Sequence, residues 1–233
     1  MRQILEDGLL KAGITPVPEM LDRFLTYRDL LLEWNEKFNL TAITEEKDIA
    51  AKHFIDSLSI WSAVKDGLSL VDVGSGAGFP AIPLKIAGYE GETVLMDSLK
   101  KRVGFLETAI KELGLENCRA VHIRAEDAGR GEFRESFDIA VARAVAGLPV
   151  LCEYCIPLIK KGGLFIAMKG PEGSHEAQNS VNAIKKLGGR LDRIESFDLQ
   201  FTGDKRTLIY IKKKESTPAI YPRKAGTPAK RPL

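Results

Sequence analysis

Residues 71–79 read Val71-Asp72-Val73-Gly74-Ser75-Gly76-Ala77-Gly78-Phe79, and this stretch decides the fold. An apolar strand, Leu68 to Val73, runs directly into a Gly-x-Gly-x-Gly turn. A helix is expected to open at Pro80, whose fixed φ and missing N–H suit a first helical turn. Glycines let backbone approach a ligand closely, and the helix behind them offers free N–H groups. A second strand, Glu92 to Met96, ends at Asp97, 23 residues after Gly74. Nucleotide-binding folds place a ribose-binding carboxylate ~20 residues after such a turn. The first half of the chain therefore reads as a site for a nucleoside cofactor.

A dinucleotide site wants Gly at the sixth position of G-x-G-x-x-G, against the pyrophosphate. Phe79 stands there, and Asp72 lies two residues before the first Gly. This pattern resembles the first motif of S-adenosylmethionine (AdoMet) methyltransferases. That cofactor has no phosphate, and its cationic groups and ribose diol suit acidic neighbours.

The pattern from Leu68 onward alternates strand and helix. Strands are expected near 68–73, 92–97, 119–124, 137–142 and 163–168, with helices near 80–88, 99–113, 147–159 and 174–187. Such alternation builds a parallel sheet covered on both faces. Leu191–Phe201 and Arg206–Lys212 are separated only by Thr202-Gly203-Asp204-Lys205, so they should pair as an antiparallel hairpin. Residues 1–64 are helical in pattern, through Leu21, Phe24, Leu25, Leu31, Leu32 and Phe38, then Ile49, His53, Phe54, Ile55, Leu58 and Trp61. The expected fold class is α/β: a Rossmann-like, mostly parallel methyltransferase sheet ending in an antiparallel hairpin, with an N-terminal helical cap. The expected division is a cap over 1–64, a methyltransferase domain over 65–214 and a basic, Pro-rich tail over 215–233.

The 233 residues suit one domain plus extensions. No apolar run approaches the ~20 residues of a membrane span, and acids near the N-terminus do not suit a signal peptide. Cys118, Cys152 and Cys155 form no disulfide framework, so a cytoplasmic, reducing location is expected. Cys152 and Cys155 read as half-buried helix residues, and no metal-ligand spacing joins the cysteines and histidines, so no metal is expected. The net charge of +2 is uneven: residues 212–233 hold seven Lys or Arg against Glu215, leaving −4 elsewhere. A basic, proline-punctuated tail reads either as a solvated appendage or as an arm for a polyanion.

Ligands gather at the carboxyl ends of strands in a doubly wound sheet. After the third strand comes Arg124-Ala125-Glu126-Asp127, where Glu126 is placed to accept from an adenine amino group while backbone reads the ring edge, and Asp127 reads equally as a site residue or as a helix cap. After the fourth, Arg143 could hold a carboxylate or RNA. After the fifth, Lys169 sits on the same rim, and His53 could reach it from the cap. Among candidate RNA contacts are Lys100, Lys101 and Arg102, which open the helix after Asp97.

Trp34-Asn35-Glu36-Lys37-Phe38-Asn39-Leu40-Thr41, His53-Phe54-Ile55-Asp56-Ser57-Leu58, Gly74 to Pro80, Asp97-Ser98-Leu99-Lys100-Lys101-Arg102, Ala142-Arg143-Ala144 and Tyr221 to Pro228 together resemble one family. It is the bacterial 16S rRNA guanine-N7 methyltransferase family, also called glucose-inhibited division protein B. The resemblance runs from about Glu33 to the C-terminus. It implies AdoMet as cofactor and a guanine of 16S rRNA, naked or in the small subunit, as substrate. It also implies cofactor contacts from Gly74, Phe79, Ala125, Glu126 and Arg143. Gly76, Gly78 and Asp97 join this set from the residue reading. Arg143, His53 and Lys169 are the candidates for positioning the substrate, and Arg223 and Lys224 of the tail for RNA. The chain is read as a monomer that uses no membrane. Two other readings stand beside this one: an AdoMet methyltransferase of a protein or small molecule, and a non-catalytic RNA-binding module.

Overall fold

The computed structural model describes residues 1–64 and 67–233. The cap boundary expected after residue 64 adjoins Lys65 and Asp66, which lie outside the described residues. Seven strands form one sheet: β1 (Leu70–Val73), β2 (Thr93–Asp97), β3 (Cys118–His122), β4 (Phe137–Arg143), β5 (Ile159–Lys169), β6 (Gly189–Asp198) and β7 (Lys205–Lys213). Their order is β3-β2-β1-β4-β5-β7-β6. The first five run parallel, and β7 pairs antiparallel with both β5 and β6, as the hairpin spacing requires. β1 and β2 are buried throughout, which is why they read as unbroken apolar runs. The strand order reverses between β1 and β4, so their carboxyl ends border the crevice where such sheets bind ligands.

α1 (Arg2–Lys11) and α2 (Pro18–Phe38) precede α3 (Glu46–Asp48), which continues through a π-helical turn, Ile49–Ile55, into α4 (Asp56–Leu58). Leu5, Phe24, Tyr27 and Phe54 of these helices share one apolar core with Leu70 and Leu95 of the sheet and Phe105 of the helix that follows β2. The other face of the sheet packs Val71, Val94 and Phe165 against Leu151, Cys155 and Ile184. These come from α8 (Leu148–Cys155) and α10 (Val181–Lys186), which flank α9 (Gly173–Asn179). Cys152 and Cys155 are fully buried rather than half-buried, because α8 lies between the sheet and the C-terminal segment; burial pushes both thiols up.

Two expectations are corrected here. α5 (Ala81–Ile86) begins one residue later than expected, with Pro80 as its N-cap. The Ala81 N–H is held by Asp72 Oδ2 at 3.2 Å, which fixes the start. The C-terminal segment is not a solvated appendage. Arg134 donates to the carbonyls of Thr217 and Tyr221, and Arg130 to that of Pro222. Arg223 clasps the fully buried Glu153, and a short helix, α11 (Thr227–Lys230), follows.

Candidate active site at the carboxyl ends of the strands

The glycine turn is built around Asp72. Its Oδ2 accepts from Ser75 Oγ at 2.7 Å and from the Ala81 N–H, so one carboxylate closes the turn and starts α5. Asp72 Oδ1 is buried and accepts from no donor among the described residues. Burial raises its pKa to about 6, against the opposing pull of the Ser75 and Ala81 donors. Gly74 and Gly78 adopt φ of +72° and +92°; an added Cβ would lie 2.6 Å from Val145 and 2.4 Å from Ile82. Gly76 is half-exposed, and a Cβ there would meet only the Gly74 carbonyl, at 3.9 Å. The turn therefore keeps an open face. Asp97 lies along it: Oδ2 accepts from the Gly76 N–H at 3.0 Å, and Oδ1 from the Leu99 N–H at 2.8 Å. Each oxygen retains acceptor capacity for a further donor.

On the β3 side, α7 (Ala125–Ala128) follows the strand end directly. Glu126 is buried, and its Oε1 accepts from the Gly226 N–H at 2.8 Å. The Glu126 side chain thus anchors the C-terminal segment.

On the β4 side, Arg143 reaches under the helical cap. Its Nη1 donates to the Lys52 carbonyl at 3.0 Å and to Asp56 Oδ2 at 3.1 Å, and Nη2 faces His53 Nδ1 at 3.2 Å. The guanidinium also lies 4.7 Å from the Phe79 ring centroid, a cation–π contact. His53 stacks on the same ring at 4.4 Å. Because Arg143 has only donors, His53 Nδ1 is the acceptor, and Nε2–H donates to Thr41 Oγ1 at 2.8 Å. Burial and then the Arg143 charge hold its imidazole down at about 3, so the ring stays neutral. Lys52 and His53 belong to the π-helical turn, a local widening often found at functional sites. Ala144, directly after Arg143, sits at φ +55°, a strained conformation for a residue with a Cβ.

A cleft of about 380 Å³ opens beyond Arg143, lined by Lys52, Asp56, Lys169, Glu172, Glu176 and Arg206 among others. The Lys169 ammonium is tied to Glu176 and to the Ala146 carbonyl, at 2.8 and 2.9 Å. Among the RNA candidates, Lys100, Lys101 and Lys224 are exposed. Arg102 leans toward Asp97 at 3.6 Å, and Arg223 is committed to Glu153. Among the described residues, no group of three or more His, Cys, Asp or Glu is placed to hold a metal ion.

Two site residues escaped the sequence reading. Arg206, on β7, donates to Asp56 Oδ1 at 3.2 Å, so Asp56 bridges two guanidiniums. Nothing in a strand pattern marks such a residue. Tyr27 is fully buried, and its hydroxyl donates to the Ala77 carbonyl in the glycine turn. A tyrosine on an apolar helix face does carry a signal, because a buried phenol needs a partner.

Comparison with known proteins agrees with this geometry. The family model for rRNA small subunit methyltransferase G (GidB) matches residues 20–208. The protein of that name from Acetivibrio thermocellus is 50% identical over 235 residues, covering all of this chain and 97% of the relative. The Desulfitobacterium hafniense counterpart is 51% identical over 216 residues, covering 92% of this chain and 90% of the relative. Among solved structures, a SAM-dependent methyltransferase from Aquifex aeolicus aligns with a TM-score of 0.55 at 17% identity, over 72% of this chain and 93% of that one. The sheet, its closing hairpin and the open glycine turn are those of the methyltransferase fold, and the chain belongs to the rRNA small subunit methyltransferase G family.

Proposed function

We propose that this protein transfers the methyl group of S-adenosylmethionine to N7 of a guanine in small-subunit (16S) rRNA. The observation that carries the reading is the open turn at the tip of β1, within a chain of this family. Gly74 and Gly76 put no side chain beside Asp97, whose remaining lone pairs suit a ribose diol. The buried, undonated Asp72 Oδ1 suits the ammonium of an amino acid. The residues present therefore fit the cofactor: Asp72, Gly74, Gly76 and Asp97 would hold its ribose and amino-acid end, and the Ala125–Glu126 backbone its adenine. Gly78 and Phe79 shape the turn, Gly78 by admitting Ile82 and Tyr27, and Phe79 by carrying Arg143 and His53 on its ring.

AdoMet, when bound, supplies an electrophilic methyl group with a neutral sulfide as leaving group. Guanine N7 has an in-plane lone pair and no proton at neutral pH, so no general base is required of the protein. The side chains agree with that economy. His53 has both ring nitrogens engaged and stays neutral, and Lys169 is neutralised by Glu176. Their work is to hold Arg143 and the cleft wall in place. Arg143, between the turn and the cleft, is the positioning residue for both reactants. Such placement is worth ~7–11 kcal/mol of barrier. The target base reaches the cleft by leaving its stack, which costs least in an RNA loop. Exposed Lys100, Lys101 and Lys224 are suited to the phosphates around it.

The test is transfer of labelled methyl from AdoMet to small-subunit RNA, naked and in subunits, with mass analysis of the nucleosides. Label in 7-methylguanosine is the expected result. Intact AdoMet binding with no label in any RNA overturns the substrate while leaving the cofactor.

A further inference from the structure

N7 with its lone pair is common to guanine and adenine, so the methylated atom cannot by itself select the base. The difference lies on the opposite edge. Guanine offers two adjacent donors there, N1–H and the 2-amino group, where adenine has an acceptor at N1. A carboxylate accepts from both guanine donors and repels the adenine lone pair.

Three carboxylates line the cleft. Asp56 is nearly buried and has one oxygen on Arg143 and the other on Arg206. Glu176 accepts from the Leu148 N–H and from Lys169 through the same oxygen. Glu172 alone is exposed and, among the described residues, forms no ion pair and no side-chain hydrogen bond. Its backbone is nevertheless fixed. It follows Gly170-Pro171, and its carbonyl accepts from the Glu176 N–H at 3.0 Å. Lys52 and Arg206 line the same cleft but are paired, Lys52 with Asp48 and Arg206 with Asp56, which leaves Glu172 as its unpaired charge among these carboxylates and cations.

We propose that Glu172 is the residue that selects guanine, its two carboxylate oxygens accepting from N1–H and the 2-amino group while N7 faces Arg143 and the glycine turn. This inference rests on the guanine-N7 reading above.

The experiment begins by mapping the guanosine that the wild-type protein methylates. Small-subunit RNA is then assembled by ligation with guanosine or inosine at that position; inosine keeps N7, O6 and N1–H but lacks the 2-amino group. Wild-type kcat/KM is expected to fall about 10- to 100-fold on inosine, the loss of one hydrogen bond to a charged acceptor. Glu172→Gln and Glu172→Ala should lose a similar factor on guanosine and no longer discriminate against inosine, with AdoMet affinity unchanged. Wild-type turnover and wild-type discrimination in both variants overturn the proposal. So does loss of AdoMet affinity in both, which places Glu172 outside base selection. Absence of 7-methylguanosine with the wild-type protein instead defeats the underlying reading, and this one with it.

Discussion

Asp72 carries a charge that its surroundings do not balance. A carboxyl held at about 6 in the fold and near 3.8 outside it binds its proton more tightly when folded. The charge penalty is therefore full above pH 6 and relieved as pH falls toward 4. Asp72→Asn keeps an acceptor for Ser75 and Ala81 and removes the charge. The variant should be more stable than wild type by ~2–3 kcal/mol at about pH 8, the advantage vanishing near pH 4. Denaturant melts across that range check it, and AdoMet affinity should fall in the same variant. His53 has the opposite sign. Its folded value of about 3 lies below the ordinary 6.5, so its contribution is present above pH 6.5 and lost as pH falls toward 3. Arg143→Ala should abolish methyl transfer. It also leaves Asp56 with Arg206 alone, and a buried carboxylate deprived of one partner should cost ~2–3 kcal/mol, read from thermal melts. Arg143 was legible in the sequence because it ends a strand on the ligand side of the sheet. Arg206 was not, because its role depends on β7 running antiparallel beside β5, a matter of topology rather than pattern.

Among the elements, the C-terminal segment departs most from what its composition suggests. Proline and lysine content describes a chain with no core to join. That accounting omits the buried acid Glu153, which has no cation within its own helix and takes Arg223 from 70 residues away. The expected consequence of Arg223→Ala is a loss of ~3 kcal/mol and release of the segment, since it strands a buried carboxylate. Trypsin should then cut after Lys224 and Lys230 faster than it cuts the wild-type segment. An unchanged cutting rate would remove the ion pair as the anchor. The strand–helix alternation, by contrast, was readable almost throughout, since buried parallel strands and glycine stops leave strong marks. The π-helical turn left none. Ile49 to Ile55 has the apolar spacing of an ordinary helix, and the widened turn contains the Lys52 carbonyl that accepts from Arg143.

The charge of the whole molecule is small, and a few of its exposed cations lie where the sheet binds ligands. Lys100 and Lys101 open α6 (Lys100–Glu112) immediately after Asp97, and Lys224 lies two residues from the Gly226–Glu126 contact. Replacing Lys100 and Lys101 by Ala should weaken RNA binding at low salt and flatten the plot of log affinity against log salt by ~0.7–0.9 per lost phosphate contact. An unchanged slope would move the RNA path elsewhere. Asp56, Arg143 and Arg206 come from the cap, the fourth strand and the hairpin, with 87 and 150 residues between the bonded partners. Closing loops of that length comes late, after local helices and neighbouring strands have formed. A folding chain can thus hold a correctly ordered sheet before it holds a working crevice. Variants that slow docking of the cap or the hairpin will lengthen the interval in which the molecule is compact, protected and inactive.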